Sequence, residues 1–373
     1  KISNYTTNIS LNYLRSFGKH DLSGLLLFEQ LSSQGDLLSA SRRDFISNIK
    51  DELFASGPEN QTIDGYGFIN DRRRSLVGRI NYAYNSKYLF ESSFRYDGSY
   101  RFAPGKQYGI FPALSAGWRL SEEEFFKSSN LIKTINNLKL RFSYGVIGND
   151  RVGAFQFSDN YSIITNRGPI ISGGPQPYIE YGVFPNQNIT WEKQYNTNFG
   201  IESGLFNNLI SFEFDYFIRN TKDILWSRVR SIPETFGRSL SNENYAEMKS
   251  SGFDFTLSHG KQFDDFKYDI RLIGSYAKNK VTQIDDPSNA LDFQKQLGRT
   301  YGFRTGYDAL GLFQSQEEAD GWFEGTQFGQ KSLAGDIKYA DVDGDGIISN
   351  QDQKILSEFL QLIDKHKQSD FLQ

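Results

Sequence analysis

The chain has 373 residues, with 41 basic against 45 acidic side chains and a formal net charge of −4 at pH 7. That balance carries no electrostatic footprint for nucleic acid, so no nucleic-acid partner is expected. There is no cysteine, which removes disulfide frameworks, thiolate zinc sites, iron–sulfur clusters and thiol nucleophiles together. Three histidines remain, His20, His259 and His366; each is isolated in sequence and none is assigned a role. Mean hydropathy is −0.54 and no apolar run reaches the roughly 18 residues of a membrane helix, which excludes a helical membrane protein. A barrel stays open, because its strands need only about 9 to 11 residues of alternating polarity. The 21 Tyr, 32 Phe and 4 Trp make aromatics 15% of the chain, and aromatic girdles at lipid interfaces are one cause of such an excess. The chain opens at Lys1 without a Met, a charged leader or an apolar segment, so any targeting segment is expected to have been removed or never to have been included.

Alternation of period two then recurs along the chain in segments of about ten residues. "ISLNYLRSF" and "DLSGLLLFEQ" are two short candidate strands. "RSLVGRINYAYN" places Leu76, Gly78, Ile80, Tyr82 and Tyr84 on one face. "KYLFESSFRYDG" sets Tyr88, Phe90, Phe94 and Tyr96 opposite Glu91, Arg95 and Asp97. Only Ser86 lies between Asn85 and Lys87, which predicts a tight hairpin. "FPALSAGWRL" follows, with Pro112 read as a strand start and Trp118 as an interfacial residue. "NLKLRFSYGV" aligns Leu138, Leu140, Phe142 and Tyr144, the last also expected near the interface. "QYNTNFGIESGLF" and "NNLISFEFDYFIRN" read as a hairpin turning near Phe206 to Asn208. Its second strand carries Ile210, Phe212, Phe214, Tyr216 and Ile218 opposite Ser211, Glu213, Asp215 and Arg219. "GFDFTLSHG" and "FKYDIRLIGSYAKN", with Phe266, Tyr268, Ile270, Leu272 and Tyr276, complete the series.

Short turns alternate with long polar connections at Ser32–Arg73, Gly148–Glu192 and Gln283–Asp336, the asymmetry of an outer-membrane barrel. Charged side chains on the polar faces fit a wet lumen. A soluble sandwich also alternates and remains the competing architecture, while the lack of an internal repeat weakens a propeller.

The segment Gly78–Asp150 contains "RYDGSYRFAPG", "GIFPALSAGWRLSEEEFF" and "NLKLRFSYGVIGND" in close order, and here the chain resembles the SusC/RagA family of TonB-dependent outer-membrane transporters. "ITWEKQYNTNFGIESGLFNNLISFEFDYFIRNTKDIL", "SSGFDFTLS", "GLFQSQEEAD" and "AGDIKYADVDGDGIISNQDQKIL" follow in the family's order, so the resemblance spans Lys1 to Leu356. It implies an all-β fold: an incomplete section, residues 1–356, of a large antiparallel transmembrane barrel of about 22 strands with long extracellular loops. It also implies a longer parent with a signal peptide, a TonB-contacting segment and an N-terminal plug. "YDGS" is read as turn chemistry at the edge of the lipid belt, from Asp97 and Gly98. Residues 357–373 depart from the family and keep the helical spacing of Leu356, Phe359, Leu360 and Ile363.

By resemblance the function is uptake of oligosaccharides or peptides through the outer membrane of a Bacteroidetes-type Gram-negative bacterium. The implied partners are the TonB complex, a SusD-like surface lipoprotein and outer-membrane lipid. No catalysis is expected, and "SEEEFF", with Glu122, Glu123 and Glu124, is read as a solvated loop. The competing function is a secreted soluble glycan-binding or dockerin-bearing protein, because "DVDGDGIISNQD" also has the spacing of a dockerin calcium loop. Asp341, Asp343 and Asp345 stand at positions 1, 3 and 5 of the twelve-residue template. Gly346 stands at the turn, Ile347 offers its carbonyl at 7, and Asp352 replaces the usual Glu at 12. Calcium is the expected cofactor, as a staple of an extracellular loop, and an empty acidic turn is the alternative. In the loop Gln283–Asp336, Tyr301, Tyr307, Trp322 and Phe323 are candidates to stack on a sugar, and could equally pack the loop on itself.

Overall fold

The computed structural model describes residues 2–43, 62–164, 167–171, 173–228 and 234–356. Ten strands form one sheet: β1 (Ile2–Phe17), β2 (His20–Ser41), β3 (Thr62–Tyr84), β4 (Tyr88–Ser99), β5 (Tyr108–Arg119), β6 (Ile135–Asn149), β7 (Glu192–Leu205), β8 (Ile210–Trp226), β9 (Glu243–Phe263) and β10 (Phe266–Gln283). Each strand lies beside its chain neighbour, so the sheet is an up-and-down meander. From β1 to β9 the strand pairings are antiparallel. Every strand read from the alternation is present.

The turns at one end are tight for local reasons. Asn85 and Ser86 have φ of 51° and 54°, and the Lys87 amide donates to the Tyr84 carbonyl at 3.0 Å. That is the doubly left-handed turn whose twist matches paired strands. Phe206, Asn207 and Asn208 repeat the left-handed backbone between β7 and β8; Asn tolerates it better than most residues.

One face of the sheet is apolar and exposed. Leu76, Ile80 and Tyr84 of β3, and Tyr88, Phe90, Phe94 and Tyr96 of β4, all present their side chains outward. A soluble sheet would bury such a face, whereas lipid solvates it at no cost. The main apolar cluster lies elsewhere. Phe102, Phe111, Val152, Ile189 and Trp191 pack together, with Val146 and Leu225 against them. The Trp191 indole N–H donates to the Gln107 carbonyl at 3.0 Å, which satisfies its one donor in a buried setting. Glu192 beside it accepts from Asn149 Nδ2 at 2.7 Å and from the Leu225 amide at 2.9 Å. The Trp-Glu pair thus holds the long-loop ends of β6, β7 and β8.

Four expectations need correction. Ser32–Arg73 is not simply a loop: β2 runs on to Ser41 and β3 begins at Thr62, paired from Ser41↔Thr62 inward past a bulge at Ser33 and Gln34. "YDGS" is strand, with Asp97 accepting from Arg95 Nη2 at 3.0 Å and the pairing reaching Ser99. Pro112 stands inside β5, opposite Phe94; it precedes only the ladder to β6, which begins at Ala113↔Gly145. Tyr144 pairs with Leu114 and Thr197 in the body of the sheet, away from the girdle described below.

The chain divides into two compact units, the second comprising Arg228–Pro233 and Lys278–Gln373. In the second, Ala309–Leu312 pairs with Ile337–Tyr339 and Thr305–Gly306 with Lys354–Ile355. A short helix, Gln316–Gly321, is capped by Ser315 Oγ accepting from the Glu318 amide at 3.2 Å. Val281, Ile284, Phe313, Ala319 and Ile348 are buried apolar residues of this unit. The tail 357–373, expected to be helical, lies outside the described residues.

Candidate functional site

At the short-turn end of the sheet a row of rings crosses five strands. Phe17 stacks on His20 (5.1 Å between centroids), His20 meets Tyr84 (5.0 Å), Tyr84 meets Tyr88 (6.4 Å) and Tyr88 stacks on Trp118 (6.5 Å). Glu123, in the turn after β5, accepts from the Tyr88 hydroxyl, the Trp118 indole and Lys87 Nζ. The Tyr88 hydroxyl above all, and then the indole, hold its carboxyl below the usual glutamate range. Rings with one greasy and one wet end are what a lipid–water boundary favours, so Trp118 takes the interfacial place expected of it. Glu123 is therefore not merely solvated: it ties the girdle to its turn.

The opposite face is charged. Arg141 of β6 reaches Glu202 of β7 at 2.8 Å and both Glu213 and Asp215 of β8 at 2.9 Å, and Lys139 adds a contact to Glu202 at 3.4 Å. Gly200 lies between Arg141 and Asp215 in register. A Cβ there would fall 2.7 Å from Asp215 Oδ1 and 2.9 Å from Arg141 Nε, so the guanidinium crosses the β7 strand only because that residue has no side chain. Higher up, Arg73 pairs with the buried Asp150 at 3.0 Å. The alternation places Glu213 and Asp215 on one polar face but does not name their partners; the glycine in "NFGIES", level with Arg141, is the available signal.

In the second unit, Asp341, Asp343 and Asp345 bring carboxylate oxygens within 4.8 Å of one another. Their geometry is set by the loop's own amides. Asp341 accepts from Gly344 (2.7 Å) and Gly346 (2.9 Å), Asp343 from Asp345 (3.1 Å), and Asp345 from Ile347 (2.8 Å). Gly344 and Gly346 have φ of 77° and 81°, conformations glycine adopts freely. The Gly346 amide, then the Gly344 amide, hold the Asp341 carboxyl below its ordinary range. Asp343 also accepts from the Asp345 amide, which lowers it, yet desolvation and the charges of Asp345, Asp352 and Asp341 raise it on balance. Asp352 is 0% exposed and stands apart from this trio. Its two oxygens accept from the Val342 and Ser349 amides, each at 2.7 Å, closing the loop on itself.

The four aromatics of the loop Gln283–Asp336 fall into separate settings. Tyr307 packs edge-on against Phe328 (4.8 Å) and Tyr339 (5.6 Å), and its hydroxyl donates to Asn350 Oδ1 at 2.9 Å, bracing the acidic loop. Trp322 and Phe323 meet edge to face at 4.7 Å, with Lys338 Nζ 4.0 Å from the Trp322 ring centre. Lys338 also binds Glu318 at 2.9 Å. Tyr301 is exposed.

A meander of strands that is apolar and ring-girdled on one face and ion-paired on the other is the wall of a transmembrane β-barrel. Residues 2–355 match the family described as TonB dependent receptor-like, beta-barrel, and the chain belongs to that family. It is 30% identical to TonB-dependent receptor P3 of Formosa agariphila over 95% of this chain and 36% of that protein. Identity to TonB-dependent receptor SusC of Bacteroides thetaiotaomicron is 24%, over 85% of this chain and 32% of that one. The fold is similar to the RagAB peptide importer in its 'open-open' state, with a TM-score of 0.74 and 21% identity over 95% of this chain and 37% of that one. The chain spans about a third of the length of the curated relatives it matches. TonB-dependent receptors are outer-membrane transporters, not enzymes, and membership displaces the soluble, dockerin-bearing alternative.

Proposed function

We propose that the chain is part of the barrel of a TonB-dependent importer of oligosaccharides or peptides that works with a SusD-like surface lipoprotein. The observation that carries the reading is the family match over residues 2–355, borne by a sheet with a lipid-type outer face and an ion-paired inner face. The resemblance to the SusC/RagA family implies the two substrate classes, and the RagAB peptide importer among its structural neighbours carries the peptide class by name. The inner wall's fixed charges offer a hydrated surface along which a polar solute moves, and no bond is made or broken. Deleting the gene for the full-length protein and following growth on oligosaccharides or on peptides as sole nutrient tests this. Loss of growth on one class, restored by the gene but not when TonB is inactive, is the expected result; unchanged growth on both overturns the proposal.

The same reading includes calcium at Asp341–Asp352. Three hard oxygen donors converge at a spacing suited to it, with Ile347 supplying a carbonyl. Asp352, buried and bonded to two amides, shapes the loop from behind. Tyr307, bonded to Asn350, belongs to this brace, which leaves Tyr301, Trp322 and Phe323 as the candidates for substrate contact.

A further inference from the structure

Two arginines stand on the lipid-type face of β3. From Asp71 to Tyr84 the pairing of β3 with β2 and, from Arg73, with β4 runs without a break, so Arg72 and Arg74 share the face of Leu76, Ile80 and Tyr84 while Arg73 points the other way to Asp150. Cross-strand rows give their setting. The row of Leu76 is wholly apolar, with Phe28, Tyr96 and Ile110. One step further along, the row of Arg74 carries Gln30, Gly98 and Tyr108. The Tyr108 ring lies over Gly98, 2.4 Å from where a Cβ would stand, and stacks on Tyr96 at 5.0 Å, a second ring pair at the long-loop end. Arg72 and Arg74, with Gln30, Ser32, Tyr100 and Tyr108, border a surface hollow of about 390 Å³. Both arginines are exposed, and among the described residues no carboxylate pairs with either.

Depth places this hollow. Ten residues separate Arg74 from Tyr84, which stands in the short-turn girdle. At about 3.3 Å per residue and a tilt of roughly 40°, that is about 25 Å along the membrane normal, the height of a barrel's apolar band. Arg74 therefore emerges where hydrocarbon ends and headgroups begin. An unpaired guanidinium on the lipid side at that level meets lipid phosphate, its best-matched planar partner.

We infer that Arg72 and Arg74 form a binding site for a phosphate-bearing lipid headgroup of the outer leaflet, with Gln30 and Ser32 as neutral donors and Tyr108 against the upper acyl chain. The inference rests on the barrel reading. It makes the barrel's outer surface selective for anionic lipid at one place, beside the β4–β5 connection.

The test uses the full-length protein purified in mild detergent and native mass spectrometry with added lipid A, and with phosphatidylcholine for comparison. Heat-modifiable migration of each variant registers the barrel separately. The double variant Arg72→Ala with Arg74→Ala should retain at least tenfold less lipid A, the double Lys variant should keep most of it, and Arg79→Ala, which removes one charge from the opposite face, should not change it. Inorganic phosphate at millimolar concentration should fail to displace the lipid. A heat-modifiable double Ala variant with undiminished lipid A overturns the site. Equal retention of phosphatidylcholine, or full displacement by phosphate, overturns its assignment to an anionic lipid. No heat shift in the unaltered protein overturns the barrel reading and the site together.

Discussion

Phe214 and Asp97 show what one substitution means on each face. Phe214 stacks with Phe212 and Phe253 at 6.4 and 5.8 Å on the apolar side, whereas Asp97 answers Arg95 on the polar side. Phe214→Lys in the full-length protein is expected to cost about 2 to 4 kcal/mol, the range for a cation facing lipid near the midplane. Asp97→Lys loses one partly exposed ion pair, worth about 1 kcal/mol or less, and sets two cations side by side. Urea unfolding of both variants in lipid separates the cases, and equal destabilisation would contradict the assigned faces. Which residues are polar was legible from alternation; which charges meet was not. Arg141 sits on a different strand from Glu202 and Asp215, and a single sequence has no record of cross-strand register.

The elements were legible where lipid makes the two faces unlike. All ten strands show there, and their tight turns announce themselves through Asn85, Asn207 and Asn208. Beyond the lipid belt both faces are wet, so the period of two fades while the backbone ladder continues; that is why Gln34 to Ser41 reads as loop and folds as strand. The acidic loop is the opposite case, since its spacing is local, and the carboxylates of Asp341, Asp343 and Asp345 that it brings together stand within 4.8 Å of one another. Its calcium affinity is expected in the weak extracellular range, Kd on the order of 0.1 to 1 mM. Calorimetry on the full-length protein checks this: saturable heat that disappears in Asp341→Ala with Asp345→Ala is the predicted result. Heat unchanged by those substitutions, or none up to about 5 mM, leaves the loop as turn chemistry.

At the scale of the whole molecule, the Phe102, Phe111, Val152, Ile189 and Trp191 cluster explains motifs that sequence alone could only list. "RFAPG", "GIFP", "GND" and "ITWE" are far apart in the chain, yet each sends a residue into or beside one apolar knot at the long-loop end of the strands. That convergence is tertiary, and no periodicity within a strand encodes it. The central claim is that one face of this sheet meets lipid and the other meets water. Because the chain has no cysteine, single cysteines placed along β8 in the full-length protein test it directly, by labelling in intact outer membranes with a charged, water-soluble maleimide. Positions 211, 213 and 215 are predicted to label and positions 212, 214 and 216 to be protected until detergent is added; uniform labelling, or the reverse alternation, would contradict the account.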